Sequence, residues 1–140
     1  MEKGKKGKRW LIPLLLAAAV LGAGGGFAYV HFANASPKEV PGVDVSLGEF
    51  TTNLADADQR RIIQIQVTVE AAGAEGQKLL QERQAAIQDA VTRTLRSFRA
   101  DDLAGDAGAD RLKAALLPAI NGAAGKPVVR AVFLTRMVIQ

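Results

Sequence analysis

Hydrophobic and polar positions divide this chain into stretches with different periods. From Trp10 through Pro37 no charged residue occurs, and an apolar run of that length predicts a membrane segment. A helix over residues 10–30, rising about 1.5 Å per residue, spans roughly 32 Å, close to the ~30 Å hydrocarbon core of a bilayer. Beyond it the pattern becomes that of a folded domain. Residues 61–71 alternate, with Ile63, Ile65, Val67 and Val69 on one side and Gln64, Gln66, Thr68 and Glu70 on the other. That period predicts a strand with one buried and one wet face. After Gly73 and Gly76 the period lengthens, and Leu80, Gln84, Ile87, Val91, Leu95 and Phe98 fall at helical spacing up to about Ala100.

The remaining elements follow from punctuation. Residues 47–54 read as a short strand and residues 56–59 as a turn. Asp101 or Asp102 is placed to cap a second helix or helical turn. Asp110, Leu112, Leu116 and Ile120 mark another helix that should end near Asn121-Gly122, with Pro118 kinking or shortening it. Residues 128–140, β-branched and aromatic without glycine or proline, read as the final strand. The expected organisation is a basic tail over residues 1–9, a transmembrane helix over 10–32, a linker over 33–46, and a small α+β domain over 47–140. Pro37, Pro41 and Gly42 are expected to keep the linker irregular.

Charge sets the expected orientation. Lys3, Lys5, Lys6, Lys8 and Arg9 crowd one flank of the apolar run, whereas Lys38 and Glu39 are the first charges on the other. Positive-inside bias therefore predicts a cytoplasmic N-terminus and an exported domain. The tail also accounts for the whole net charge of +4, because five basic residues less Glu2 leave the other basic and acidic residues in balance. The basic pI is consequently no argument for nucleic acid; the sensible partner of the tail is an anionic inner leaflet. The competing reading is a cleaved secretory signal, with Ala33-Asn34-Ala35 ahead of Ser36 as its cleavage site. The apolar stretch is longer than the ~7–15 residues usual for such a signal, which favours the uncleaved anchor. Within it Ala18, Gly22 and Gly26 recur every four residues, a spacing that lets a second helix approach closely. Gly22-Ala23-Gly24-Gly25-Gly26-Phe27 is not a dinucleotide loop, since Phe27 stands at the third glycine position and no strand precedes it.

Catalytic chemistry is hard to assemble from what remains. There is no cysteine, so neither a disulfide framework nor a thiolate metal site is available. The single histidine, His31, lies at the outer end of the apolar run, and Ser36, Ser46 and Ser97 have no histidine partner within the domain. Asp101, Asp102, Asp106 and Asp110 fail as a calcium loop, because Gly108 occupies a ligand position and no glutamate closes the loop; helix capping accounts for them better. Arg93, Arg96 and Arg99 form a basic stripe, read first as a solvated face with Asp89 paired to Arg93 and second as a partner-binding patch. No catalytic residue, cofactor or metal is expected. An anchored or secreted binding module and an enzyme with an unusual Asp/Arg site are the other classes weighed.

The ordered set of segments resembles the FliL family of flagellar basal-body proteins. The resemblance runs from the basic tail, the membrane helix and the Pro/Gly linker to Leu47-Gly48-Glu49-Phe50-Thr51-Thr52-Asn53-Leu54-Ala55-Asp56. It continues through the alternating strand, Ile87-Gln88-Asp89-Ala90, Asp102-Leu103, Gly108, Leu112-Lys113 and Ile120-Asn121 to the closing Val132-Phe133-Leu134-Thr135-Arg136-Met137-Val138-Ile139-Gln140. The resemblance implies a non-enzymatic, single-pass inner-membrane protein whose periplasmic domain is similar to the stomatin-type SPFH fold. It also implies a homo-oligomeric ring, with flagellar stator and basal-body proteins as partners and no nucleic acid.

Overall fold

The computed structural model describes residues 39–58 and 60–140. The expected membrane segment, its small-residue face at Ala18, Gly22 and Gly26, His31 and the Ala33-Asn34-Ala35 cleavage candidate lie outside the described residues. Among the described residues no helix is long and apolar enough to cross a membrane.

The alternating stretch forms the centre of a three-stranded antiparallel sheet. Strand β2, Ile62–Ala72, lies between β1, Gly42–Asn53, and β3, Val129–Ile139. Ile63, Ile65, Val67, Val69 and Ala71 are completely buried, and each of the larger side chains stabilises the fold by about 1.5–3 kcal/mol relative to exposure. The first strand begins at Gly42, ahead of the expected Leu47. Val43 and Val45 carry the period-two pattern upstream and lie opposite Ala71 and Val69, so only Pro41, which lacks an N–H for the ladder, delimits the strand. Three bulges interrupt the ladders: Leu47 is the extra residue in β1, and Arg130 and Thr135 are extra in β3.

Three helices cover one face of this sheet. The expected single helix from Gly73 is two, α1 over Gly73–Glu82 and α2 over Gln84–Leu95, separated at Arg83 with φ −102° and ψ 15°. Leu80, Ile87, Val91 and Leu95 form the buried row. Gln84, expected on that row, is exposed. Arg83 and Gln84 at the junction are polar and exposed, so no apolar side chain holds it against the sheet, and the regular helix is interrupted there. Phe98 lies past the helix end, half-buried against the core.

A 3-10 turn, Ala100–Leu103, leads into α3, Gly105–Ala124. The Asp102 carboxylate accepts the Arg99 backbone N–H at 3.0 Å, so the aspartate stabilises the turn from inside it. Helix α3 continues through Pro118 and beyond Asn121-Gly122, contrary to the expected shortening. Pro118 and Ala114 are both outside the buried row, so the carbonyl that loses its partner to the proline ring lies on the water side of the helix. The helix stops at Gly125, whose left-handed φ of 81° lets its N–H reach the Asn121 and Gly122 carbonyls at 3.0 and 3.2 Å. Near the other end, Gly108 is buried, and a Cβ there would land on the Leu103 backbone. The turn and α3 can cross this closely only because the residue is glycine.

These elements share one aliphatic core, with Phe50 its only aromatic side chain and no polar side chain buried among the described residues.

Candidate interaction surfaces

The residues with potential for chemistry are scattered. Ser46 stands on β1, and Ser97 donates its hydroxyl to the Thr94 carbonyl at 2.6 Å, closing the end of α2. Of the aspartates, Asp102 holds the 3-10 turn, Asp106 lies in the first turn of α3, and Asp110 faces Lys113 at 3.5 Å. An acidic residue in a first turn opposes the positive end of the helix dipole. Among the described residues no group of three or more acidic or histidine side chains could hold a metal ion.

The basic stripe is not a continuous helix face. Arg93 donates to the Asp89 carboxylate one turn earlier, with both side chains mostly in water; such a pair contributes about 0.3–0.5 kcal/mol. Arg96 sits at the C-cap of α2 and lines a hollow with Asn53, Leu54, Ala55 and Asp56. Arg99 has left the helix for extended backbone at φ −94°, ψ 157°. Asp56 faces the same junction and accepts the Ala100 N–H at 3.0 Å, tying the β1–β2 loop to the end of the helical layer.

The sheet presents a surface of a different kind. Its outer face, turned away from the helices, carries Gln64, Gln66, Thr68 and Glu70 on the central strand. On β1 the only charged residues are Asp44 and Glu49; on β3 they are Arg130 and Arg136. The face therefore runs from an acidic edge to a basic one. Gln64 donates to Glu49, while Arg130 reaches across to the Val40 carbonyl at 2.7 Å and lies 3.9 Å from Glu70. Ile62 and Phe133 are exposed apolar residues of the same face. At the start of β3, Asn121 mimics a neighbouring strand: its amide accepts the Val129 N–H at 2.8 Å and donates to the Val129 carbonyl at 3.0 Å. In the sequence Asn121 signals only a helix end; no local pattern marks it as a partner of β3. Along β1, on the helix side, Val45, Leu47, Leu80 and Ile87 with Gln81, Gln84 and Gln88 line a cavity of about 130 Å³.

The described residues form a small α+β domain of three antiparallel strands with helices on one face, whose charged and apolar sheet edges offer surfaces for contact. The chain is a member of the FliL family: residues 45–140 match the model of the flagellar basal body-associated protein FliL. That family consists of flagellar structural and accessory proteins, associated with components of the flagellar basal body. No curated protein matches the chain.

Proposed function

We propose that this protein is a single-pass inner-membrane component of the flagellar basal body. In this reading its tail is cytoplasmic and its domain periplasmic, and its copies form a ring around or beside stator units, supporting torque and motility. The observation that carries it is the family match over residues 45–140, preceded in the same chain by the uncharged run that begins at Trp10. The strand, helix and strand order of the domain is consistent with an SPFH-type unit. Membrane confinement raises the effective concentration of the domains, so contacts too weak to hold a ring in solution suffice in the plane of the bilayer. Ala18, Gly22 and Gly26 are the proposed helix-packing face.

A fluorescent fusion should form foci at flagellar motors, and cells lacking the protein should lose motility most strongly in viscous medium. A reporter after Gln140 should be active only in the periplasm. Diffuse membrane fluorescence with unchanged motility under load would remove the motor role. Recovery of a soluble species starting at Ser36 would remove the anchor.

A further inference from the structure

We propose that copies of this chain join head to tail through their sheets, the β3 edge of one copy adding to the β1 edge of the next. The inference rests on the ring assembly proposed above and names the surfaces that build it. Strands β1 and β3 are the two outer strands, of 12 and 11 residues. Both are antiparallel to β2, so they run in the same direction. A rotation about an axis along the strands preserves that direction and sets β3 of one copy parallel to β1 of its neighbour. This is a heterologous contact, the type that closes into rings when the rotation closes.

The central strand serves as a ruler for what would meet. Gln66 faces Glu49 on one side and Arg136 on the other; Val67 faces Gly48 and Leu134. A closed ring has no rise along its axis, so residues at one level in a copy stay at that level in the next. Glu49 then lies beside Arg136 of the neighbouring copy. Asp44 is level with Ala131 through Glu70, one residue from the neighbour's Arg130, whose side chain turns back over its own sheet to Glu70 and Val40, so Glu49 and Arg136 are the pair that carries the contact. Opposite charges directly across a strand pair stabilise it, and like charges oppose it. Because β1 bears only acidic and β3 only basic charges, two β1 edges or two β3 edges would repel. The charge pattern selects head-to-tail pairing over a symmetric dimer.

The helix side of the same junction also matches. Leu134, Met137 and Ile139 are only partly buried within their own copy. Leu134, level with Gly48, would enter the neighbour's cavity between Val45, Leu47, Leu80 and Ile87. Thus one rigid placement supplies charge pairing on the outer face and apolar contact on the inner one. The Asn121 clamp on Val129 marks where the free part of the β3 edge begins.

The absence of cysteine from the chain makes the test direct. Full-length protein carrying both Glu49→Cys and Arg136→Cys is oxidised in membranes. Within one copy these positions flank the central strand, about 9–10 Å apart at 4.7–4.9 Å per strand, and a disulfide requires Cα atoms within about 6.8 Å. Any bond is therefore intermolecular, and a ladder of multimers is expected from the double variant. Neither single variant nor Lys78→Cys with Arg136→Cys should give one. In a second arm, Glu49→Arg should weaken assembly on native gels, and adding Arg136→Glu should restore it. If the unsubstituted protein assembles but the double-cysteine variant does not cross-link, or the charge swap fails to restore assembly, the edge pairing is wrong and the ring stands. Dimers from Glu49→Cys alone, or a bond to a different protein, also overturn it. If the unsubstituted protein does not assemble at all, both readings fail.

Discussion

Two glycines of helix α3 should respond in opposite directions to the same substitution. At Gly108 an added methyl group meets the Leu103 backbone, which cannot yield as a side-chain tip would. Overpacking of this kind costs about 1–3 kcal/mol, and contact with backbone puts the cost in the upper part of that range. Alanine recovers about 0.8–1.0 kcal/mol of helix propensity over glycine, leaving Gly108→Ala destabilised by roughly 1–2 kcal/mol. Gly122, on the same helix, has no atom of another element within 4 Å of the place a methyl group would take, so Gly122→Ala retains the propensity gain, about 0.5–1 kcal/mol. For a domain of this size about 1 kcal/mol moves Tm by roughly 4–8 °C. Thermal unfolding followed by circular dichroism should therefore show Gly108→Ala lower by about 4–16 °C and Gly122→Ala higher by about 2–8 °C. A neutral or stabilising Gly108→Ala would refute the close crossing of the 3-10 turn on α3. A destabilising Gly122→Ala would mean that the outer surface of α3 is covered.

Asn121→Ala should cost about 1–3 kcal/mol in urea unfolding, since it strips both backbone groups of buried Val129 of their partner; Asn121→Asp should recover only part, because a carboxylate can accept but not donate. Removing residues 132–140 should abolish cooperative unfolding and motor support together, because it deletes the strand that covers one side of β2; a stable truncated protein with unaltered motility would contradict this. Changing Arg93, Arg96 and Arg99 together to alanine should move stability by no more than about 1 kcal/mol, and a motility loss at unchanged stability would identify them as a partner contact.

The strongest local patterns in the sequence correspond to the central elements. Strand β2 starts within one residue of the expected position, because alternation of Ile63, Ile65, Val67 and Val69 against polar neighbours has no competing explanation. The helix ends are less legible. A heptad step from Leu80 to Ile87 suits one helix or two, and the sequence does not show that Arg83 lacks an anchor on the sheet. Pro118 suggests a break, but its effect depends on which face it occupies, a property of the packed helix. Gly108 reads in the sequence as a gap in a ligand set and is a point of backbone contact, a role visible only once Leu103 lies above it. The edge charges are readable singly, at Glu49 and Arg136; their common level follows from pairing with Gln66.

The wholly apolar core raises the question of what prevents the strands from sliding. Displacing β2 by two residues would set one aliphatic side chain in the place of another, Ile63 for Ile65 and Val67 for Val69 being exact exchanges, without turning any side chain outward. No buried polar group is present among the described residues to penalise such a slip. Alignment must instead come from the irregular positions: the extra residues Leu47, Arg130 and Thr135, and the side-chain clamps of Asp56 on Ala100 and Asn121 on Val129. The three extra residues fit one alignment only and would be misplaced by a two-residue slip of β2, while the two clamps hold the β1–β2 loop and β3 to the helical layer and so fix the neighbours against which β2 aligns. The fidelity of folding in this domain thus resides in its exceptions, and substitutions there should produce misaligned but still compact molecules, where substitutions among the core aliphatics should produce merely weaker ones.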